Sequence, residues 1–255
     1  MKVDVAISFY KGRADWPLVA RGLEQNLEHI ARVIVVNDEP WEDDWRPELT
    51  DKPVECFDLP ARDTCGISRC VNHGVFLASS EWVLHLDDDI FLPPGALATM
   101  IERIQTTSQV VSINLSYDEE IQEPGWEYFK PDPPIRAFDP SPWNLGAGAC
   151  WLAYRKNFLT CPWNEELTTY GNQDFEWILR WSVLFVPYPW ILCEDVIGLT
   201  IDAPVSADEQ YRDPLPDEPI PKWLSAVNLL LAKYCQKYRV KPFKFSLTKP
   251  IRRQR

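Results

Sequence analysis

Short strand-type runs alternate with helix-type runs through the first 115 residues, and that alternation leaves few folds open. Strands are expected near Val3–Phe9, Arg32–Asn37, Val54–Asp58, Trp82–Leu86 and Val110–Leu115. Between them, "DWPLVARGLEQNLEHI" puts Asp15 in position to cap a helix and Pro17 in its first turn. Its apolar residues Leu18, Val19, Leu23, Leu27 and Ile30 recur at helical spacing. "GISRCVNHGVFLASS" and "PGALATMIERIQ" predict two more helices. Strand–helix alternation of this kind predicts an α/β fold with a mostly parallel central sheet flanked by helices on both faces. Ligands then gather at the carboxyl ends of the strands. Asp38, Asp58 and Asp87–Asp89 each follow a predicted strand, so they should converge on one sheet edge.

The stretch "EWVLHLDDDIFLPPG" is the most demanding of these. Three adjacent carboxylates, Asp87, Asp88 and Asp89, repel one another. A helix cap before Pro94 would need only one of them. Carboxylates gathered after a strand suit a hard divalent cation, Mg²⁺ or Mn²⁺, which takes a few carboxylates and completes its shell with water and substrate phosphates. An EF-hand is excluded, because Phe91 and Pro93 stand where that loop needs oxygen ligands. A glycine-rich phosphate loop is also missing after the first strand, where "SFYKGRADWP" offers only Gly12.

Charge narrows the partners. The 255 residues carry a net charge of −12, but from Lys222 onward there are ten Lys/Arg and no Asp/Glu. The remaining 16 bases face 38 acids, a balance of −22, which speaks against nucleic-acid binding by the body of the protein. The basic end, beside the amphipathic pattern "PKWLSAVNLLLAKYCQKY", either meets an anionic surface such as a membrane or pairs with the acidic body. Met1 leads straight into a strand-type run without the pattern of a secretory leader. The most apolar stretch, Trp181 to Cys193, is too short to span a bilayer. Seven cysteines without a C-x-x-C pair fit reduced thiols. The expectation is a cytoplasmic protein, with peripheral membrane contact on the cytoplasmic face as one role for its tail.

After Tyr117 the pattern changes. Residues 117–145 are rich in Pro, Asp and aromatics and read as a long functional loop. "GAGACWLAYRKNFL" and "WNEELTTYGNQDFEWILRW" follow, then an acidic, Pro-rich stretch from Ala203 to Ile220. The expected organisation is a domain over residues 1–204, with halves 1–116 and 117–204, followed by an irregular, helical and basic tail over 205–255.

Read motif by motif from Val3 to Pro204, the chain resembles the inverting family 2 glycosyltransferases of the GT-A fold. "VAISFY" resembles the opening strand, where Ser8 and Tyr10 match positions that contact the donor. "VIVVNDE" resembles the second strand, with Asp38 at the nucleobase-binding acid. "GISRCVNHG" brings Arg69 to a basic position near the donor. "LDDDI" resembles the DxD motif, which implies metal ligation by Asp89 and Asp87 and donor contacts from Asp87 and Asp88. "GAGACWLAYRK" resembles the small-residue acceptor loop, implying acceptor contacts at Gly146, Gly148 and the preceding Trp143. "YGNQDFEWILR" resembles the start of the catalytic helix, with Gln173 toward the acceptor and Asp174 as the catalytic base.

The resemblance implies transfer of a sugar from a nucleoside-diphosphate sugar to an acceptor hydroxyl, on a glycan or lipid-linked acceptor, with inversion and with Mn²⁺ or Mg²⁺. Many relatives place a metal-ligating His after the second motif. This chain has only His29, His73 and His85, leaving Glu194, Asp195 or Asp202 as substitutes. Plainer roles stand beside these. Asp88 reads as a structural carboxylate, Asp38 as a turn residue, Arg69 as part of a solvated helix face and His85 as a core histidine. Trp126, Tyr128, Trp163 and Tyr170 read as packing, and Arg180 as an ion-pair partner for the acids of its helix. Two other functional classes remain open on sequence alone. One is a non-catalytic nucleotide-sugar or glycan-binding domain of the same fold, and the other is a membrane-recruited scaffold.

Overall fold

The computed structural model describes residues 1–10, 14–38, 40–41, 43–60, 66–117, 149–166, 173–185 and 190–200, with residues 229, 232–233 and 236–237 near the C-terminus. In chain order the elements are β1 (Val3–Phe9), α1 (Trp16–Glu24), β2 (Ile30–Asn37), β3 (Val54–Asp58), α2 (Ile67–Leu77), β4 (Trp82–Asp87) and β5 (Ile90–Phe91). These are followed by α3 (Ala96–Glu102), β6 (Val110–Tyr117), β7 (Cys150–Tyr154), α4 (Arg155–Thr160), α5 (Gln173–Leu184) and β8 (Trp190–Thr200). All five strands expected from the sequence are present, with ends shifted by two residues or fewer.

Among the described residues the sheet has eight strands in the order β3-β2-β1-β4-β7-β6-β8-β5. The block β3-β2-β1-β4 is parallel throughout, as is β6 with β8. Antiparallel pairing enters through β7, on both sides, and between β5 and β8. Successive side chains of a strand alternate between faces, and the core divides accordingly. Val3, Val5, Ile7 and Phe9 of β1 join Leu84 and Leu86 of β4 on the face covered by α1 and α3. Ala6, Ile34, Val36 and Val83 join Trp151, Trp177 and Trp181 on the face covered by α2, α4 and α5.

The spacing of β4 and β5 forces the sheet to curl. Only Asp88 and Asp89 separate them in sequence, yet they stand four places apart in the sheet. Four strand spacings would span about 19 Å in a flat sheet, whereas three residue steps reach at most about 11 Å. The curl is made in β6 and β8. β6 pairs with β7 only from Val110 to Ser112. In β8 the register jumps from Cys193, opposite Ile113, to Ile197, opposite Asn114. The end of β8 thereby returns to the acidic turn, with Thr200 opposite Ile90.

Two local features depart from expectation or reinforce it. Asp15 does stand at the start of α1, but its side chain makes no capping bond; its carbonyl instead accepts the amides of Leu18 and Val19. At the opposite end of the sheet, buried Asp4 accepts hydrogen bonds from the amides of Ser79 and Ser80 and from the Ser80 hydroxyl. Burial opposes its charge, but these bonds and the nearby Arg32 outweigh it and hold the carboxyl below its ordinary value of 3.8.

Candidate active site

Register brings the strand-end residues to one edge. Phe9 lies opposite Asn37, Asn37 opposite Asp58, and Ser8 opposite Asp87. The Asp38 amide donates to the Phe9 carbonyl over 3.1 Å, so the chain leaves β2 beside the end of β1. Its carboxylate then reaches the start of α2, where Oδ2 accepts the Gly66 amide over 2.7 Å. Arg69, in the first turn of α2, sets Nη1 3.9 Å from Asp38 Oδ1 and donates from Nη2 to the Pro60 carbonyl. Ser8, Asp38 and Arg69 are all buried. Among the described residues, Ser8 Oγ, Asp38 Oδ1 and Arg69 Nη1 find no hydrogen-bond partner. Buried polar atoms are ordinarily paired, so these three atoms leave hydrogen-bonding capacity at the strand edge.

The acidic turn adjoins this group. Asp88 Oδ2 accepts the Tyr10 amide over 2.6 Å, tying the turn to the end of β1. Asp87 lies at hydrogen-bond distance from His85, with Oδ1 3.0 Å from Nε2, and its amide donates to the Ala149 carbonyl. Burial raises the Asp87 carboxyl above its ordinary range, and the negative charge of Asp174 raises it further. Asp88 is raised well above its ordinary value, first by burial and then by Asp89.

The donor set fits a divalent cation. Acidic oxygens held close in a partly dry turn are stabilised by a positive charge between them. Among the described residues no three Asp, Glu, His or Cys side chains close a cage by themselves. A Mg²⁺-type site does not require one, since one or two carboxylates plus substrate phosphates suffice. Of the candidates for a further ligand, Asp195 is engaged elsewhere, on Arg103 at the exposed end of α3, with Oδ2 3.2 Å from Nη2. The Glu194 side chain and Asp202 lie outside the described residues.

The second carboxylate site comes from α5. Asp174 stands in its first turn. Glu176, two residues on, is buried and gripped by Arg180, with Nε and Nη2 2.7 and 2.9 Å from its two oxygens. The helix is seated by Trp177, whose Nε1 donates to the Cys161 carbonyl over 2.7 Å. The segment before it is clasped from α2, where Asn72 exchanges two hydrogen bonds with the backbone of Trp163. Gln173 is buried at the same helix start. Trp143, Gly146 and Gly148 lie outside the described residues, as do Trp126, Tyr128 and Tyr170.

Two participants were not legible as such in the sequence. Gly66 carries the amide that holds Asp38, and Asn72 carries the clasp on Trp163. The position of Gly66 just ahead of a predicted helix was the available signal for the first. Nothing in the local pattern signals the second.

The fold is similar to that of Staphylococcus aureus TarS residues 1–349, with a TM-score of 0.58 and 14% identity over 91% of this chain and 65% of that one. The same TarS fragment in complex with UDP-GlcNAc matches with a TM-score of 0.58 and 12% identity, over 91% of this chain and 66% of that one. The mannosyltransferase PcManGT from Pyrobaculum calidifontis, in complex with GDP-Man and Mn²⁺, matches with a TM-score of 0.50 and 13% identity, over 96% of this chain and 66% of that one. The chain thus spans just under two thirds of the TarS fragment, and at these identities the likeness is one of fold. No curated protein sequence matches it. The model of glycosyl transferase family 2, however, matches residues 4–160, which contain β1 from Asp4 onward, the Asp38 turn, Arg69 and the whole acidic turn, and the chain belongs to that family.

Proposed function

We propose that this protein transfers a sugar from a nucleoside-diphosphate sugar to an acceptor hydroxyl with inversion at the anomeric carbon, assisted by Mn²⁺ or Mg²⁺. One observation carries the reading. Asp174, which lies beyond the family-matched residues 4–160, comes close enough to Asp87 for its charge to raise that carboxyl, beside the polar group of Ser8, Asp38 and Arg69. Fold relatives are seen with UDP-GlcNAc and with GDP-Man and Mn²⁺, which supports a nucleotide sugar as the donor class.

In this reading Ser8, Tyr10, Asp38 and Arg69 hold the nucleoside, with Asp38 and Arg69 supplying the acceptor and donor atoms that lack partners. Asp89 and Asp87 would hold the metal. When bound it neutralises charge on the departing diphosphate. Asp88 holds the turn in place through the Tyr10 amide. Asp174 accepts the proton of the acceptor hydroxyl as its oxygen attacks the anomeric carbon and the nucleoside diphosphate leaves from the opposite face. Glu176 is the weaker candidate for this task, because Arg180 donates to both its oxygens. The acceptor side comes from residues 117–204, including Trp143, Gly146, Gly148 and Gln173, and the acceptor is a glycan or a lipid-linked molecule. Among the described residues no helix is long and apolar enough to cross a membrane. Contact with a lipid-linked acceptor falls to the basic tail.

Incubation with UDP- and GDP-sugars and Mn²⁺, followed by NMR of the product anomer, tests the reading. Inverted product supports it. Retained configuration removes the single-displacement mechanism. Nucleotide-sugar binding without turnover leaves a binding domain of the same fold.

A further inference from the structure

His85 occupies a place that a core histidine does not need. It follows the strand alternation of β4, so it shares a face with Asp87 two residues on. Its neighbours across the sheet are Ala6 of β1 and Trp151 of β7. The ring is fully buried, 5.0 Å from the Trp151 ring and 5.9 Å from that of Trp163. Trp163 is itself pinned to α2 by Asn72, and Trp151 packs on Trp177 of α5 at 4.7 Å. A flat ring held between two indoles has little freedom to turn. Its Nε2 lies 3.0 Å from Asp87 Oδ1. Asp88 instead turns its carboxylate to the Tyr10 amide. A leucine or valine at position 85 would fill the same space without desolvating a polar ring.

We infer that His85 is a positioning residue: its fixed imidazole donates Nε2–H to Asp87 Oδ1 and orients that carboxylate for the metal and donor diphosphate. This rests on the proposed role of Asp87. With a cation bound the Asp87 carboxylate is ionised and only accepts hydrogen bonds, so the bond from His85 engages one oxygen of Asp87 and fixes where the other can point. Groups that orient a metal-ligating side chain in this way typically change metal affinity 10- to 100-fold when removed. The aromatic box extends the control to both flanking helices, since α2 and α5 each hold one of the indoles that hold the ring.

The test compares His85→Gln, His85→Asn and His85→Met. Glutamine places an amide nitrogen near the position of Nε2, asparagine places one near Nδ1, and methionine offers no donor. Mn²⁺ binding is followed by its paramagnetic resonance signal in the presence of UDP or GDP, whichever raises the wild-type melting temperature. The expected result is affinity within about threefold of wild type for His85→Gln and a loss of roughly 10- to 100-fold for His85→Asn and His85→Met. In an Asp87→Asn background, His85→Met should cost nothing further. Equal affinities for the glutamine and asparagine variants overturn the inference, as do losses that simply add to those of Asp87→Asn. If His85→Met does not fold, the glutamine–asparagine pair, matched in chemistry, still decides. Wild-type Mn²⁺ affinity in Asp87→Asn alone would instead remove the proposed role of Asp87, a separate failure.

Discussion

Gly66 and Asp38 are packed so closely that position 66 admits no side chain. The Gly66 amide donates to Asp38 Oδ2 over 2.7 Å, and a Cβ built on Gly66 would fall 1.5 Å from Oδ1. Gly66→Ala must therefore push the Asp38 carboxylate out of its place. Losing a hydrogen bond to a charged group costs about 1.5–3 kcal/mol. Nucleoside-diphosphate affinity, measured by calorimetry, is expected to fall roughly 10- to 100-fold. Asp38→Asn should fall in the same range. Unchanged affinity in Gly66→Ala would show that Asp38 is only a turn residue.

Asp174→Asn keeps the shape of the side chain and removes the proposed base. Turnover is expected to drop about 10²–10⁴-fold, with donor-nucleotide affinity nearly unchanged. Glu176→Gln should behave differently, since its carboxylate is sequestered by Arg180. Its effect is expected on melting temperature more than on the chemical step. Near-wild-type transfer by Asp174→Asn would assign the proton to another group.

Asp89→Ala is expected to abolish the part of nucleoside-diphosphate binding that depends on Mn²⁺ while leaving the circular dichroism spectrum intact. Thermal shifts with UDP and GDP, each with and without Mn²⁺, give the readout. At a ligand concentration ~100 times the dissociation constant, binding adds about 2.7 kcal/mol of apparent stability, and that increment should vanish in the variant.

Asp4 links the protein to pH through stability rather than through the site. Its folded carboxyl titrates below the unfolded value of 3.8. Its contribution is thus complete above that value and is lost as pH falls through the depressed folded value. Asp4→Asn should lower unfolding free energy at neutral pH by about 1.5–3 kcal/mol, the range for hydrogen bonds to charged groups. The difference between variant and wild type should shrink below pH 3.8, as seen in urea melts. A gap that stays constant down to pH 2 would contradict this account.

The basic end of the chain is expected to bind anionic liposomes at low salt and release them at high salt. Each Lys or Arg near such a surface contributes about 1 kcal/mol. Flotation that fails at low salt removes the membrane role for residues 222–255.

The parallel half of the sheet was readable because each of its strands is a compact apolar run bounded by turn residues. Val3–Phe9 and Trp82–Asp87 show this directly. The antiparallel part was not. β5 is two residues long, and β7 sits inside the continuous run "GACWLAY" that carries no alternation. β8 is broken in pattern by Glu194 and Asp195, which fall where its register slips. The edge acids could be placed from sequence because strand ends are local features. The approach of Asp174 to Asp87 has no local signal, because α5 is seated by long-range packing of Trp177 on Trp151 of β7 and on Trp163. The partner of Asp195 was likewise hidden, because Arg103 lies 92 residues away in sequence.

The return of β8 to the acidic turn sets a schedule for synthesis. Ile90 is made 110 residues before its partner Thr200. At translation rates of about 5–20 residues per second, the turn carrying Asp88 and Asp89 waits roughly 5–20 s for the strand that closes it. Meanwhile β1 to β4 already hold every strand of the parallel block. The nascent chain therefore carries the parallel strand edge before it carries a finished acidic turn. Contacts of such long sequence separation form slowly, which makes closure by β8 the step whose failure would leave a compact, folded-looking and inactive protein.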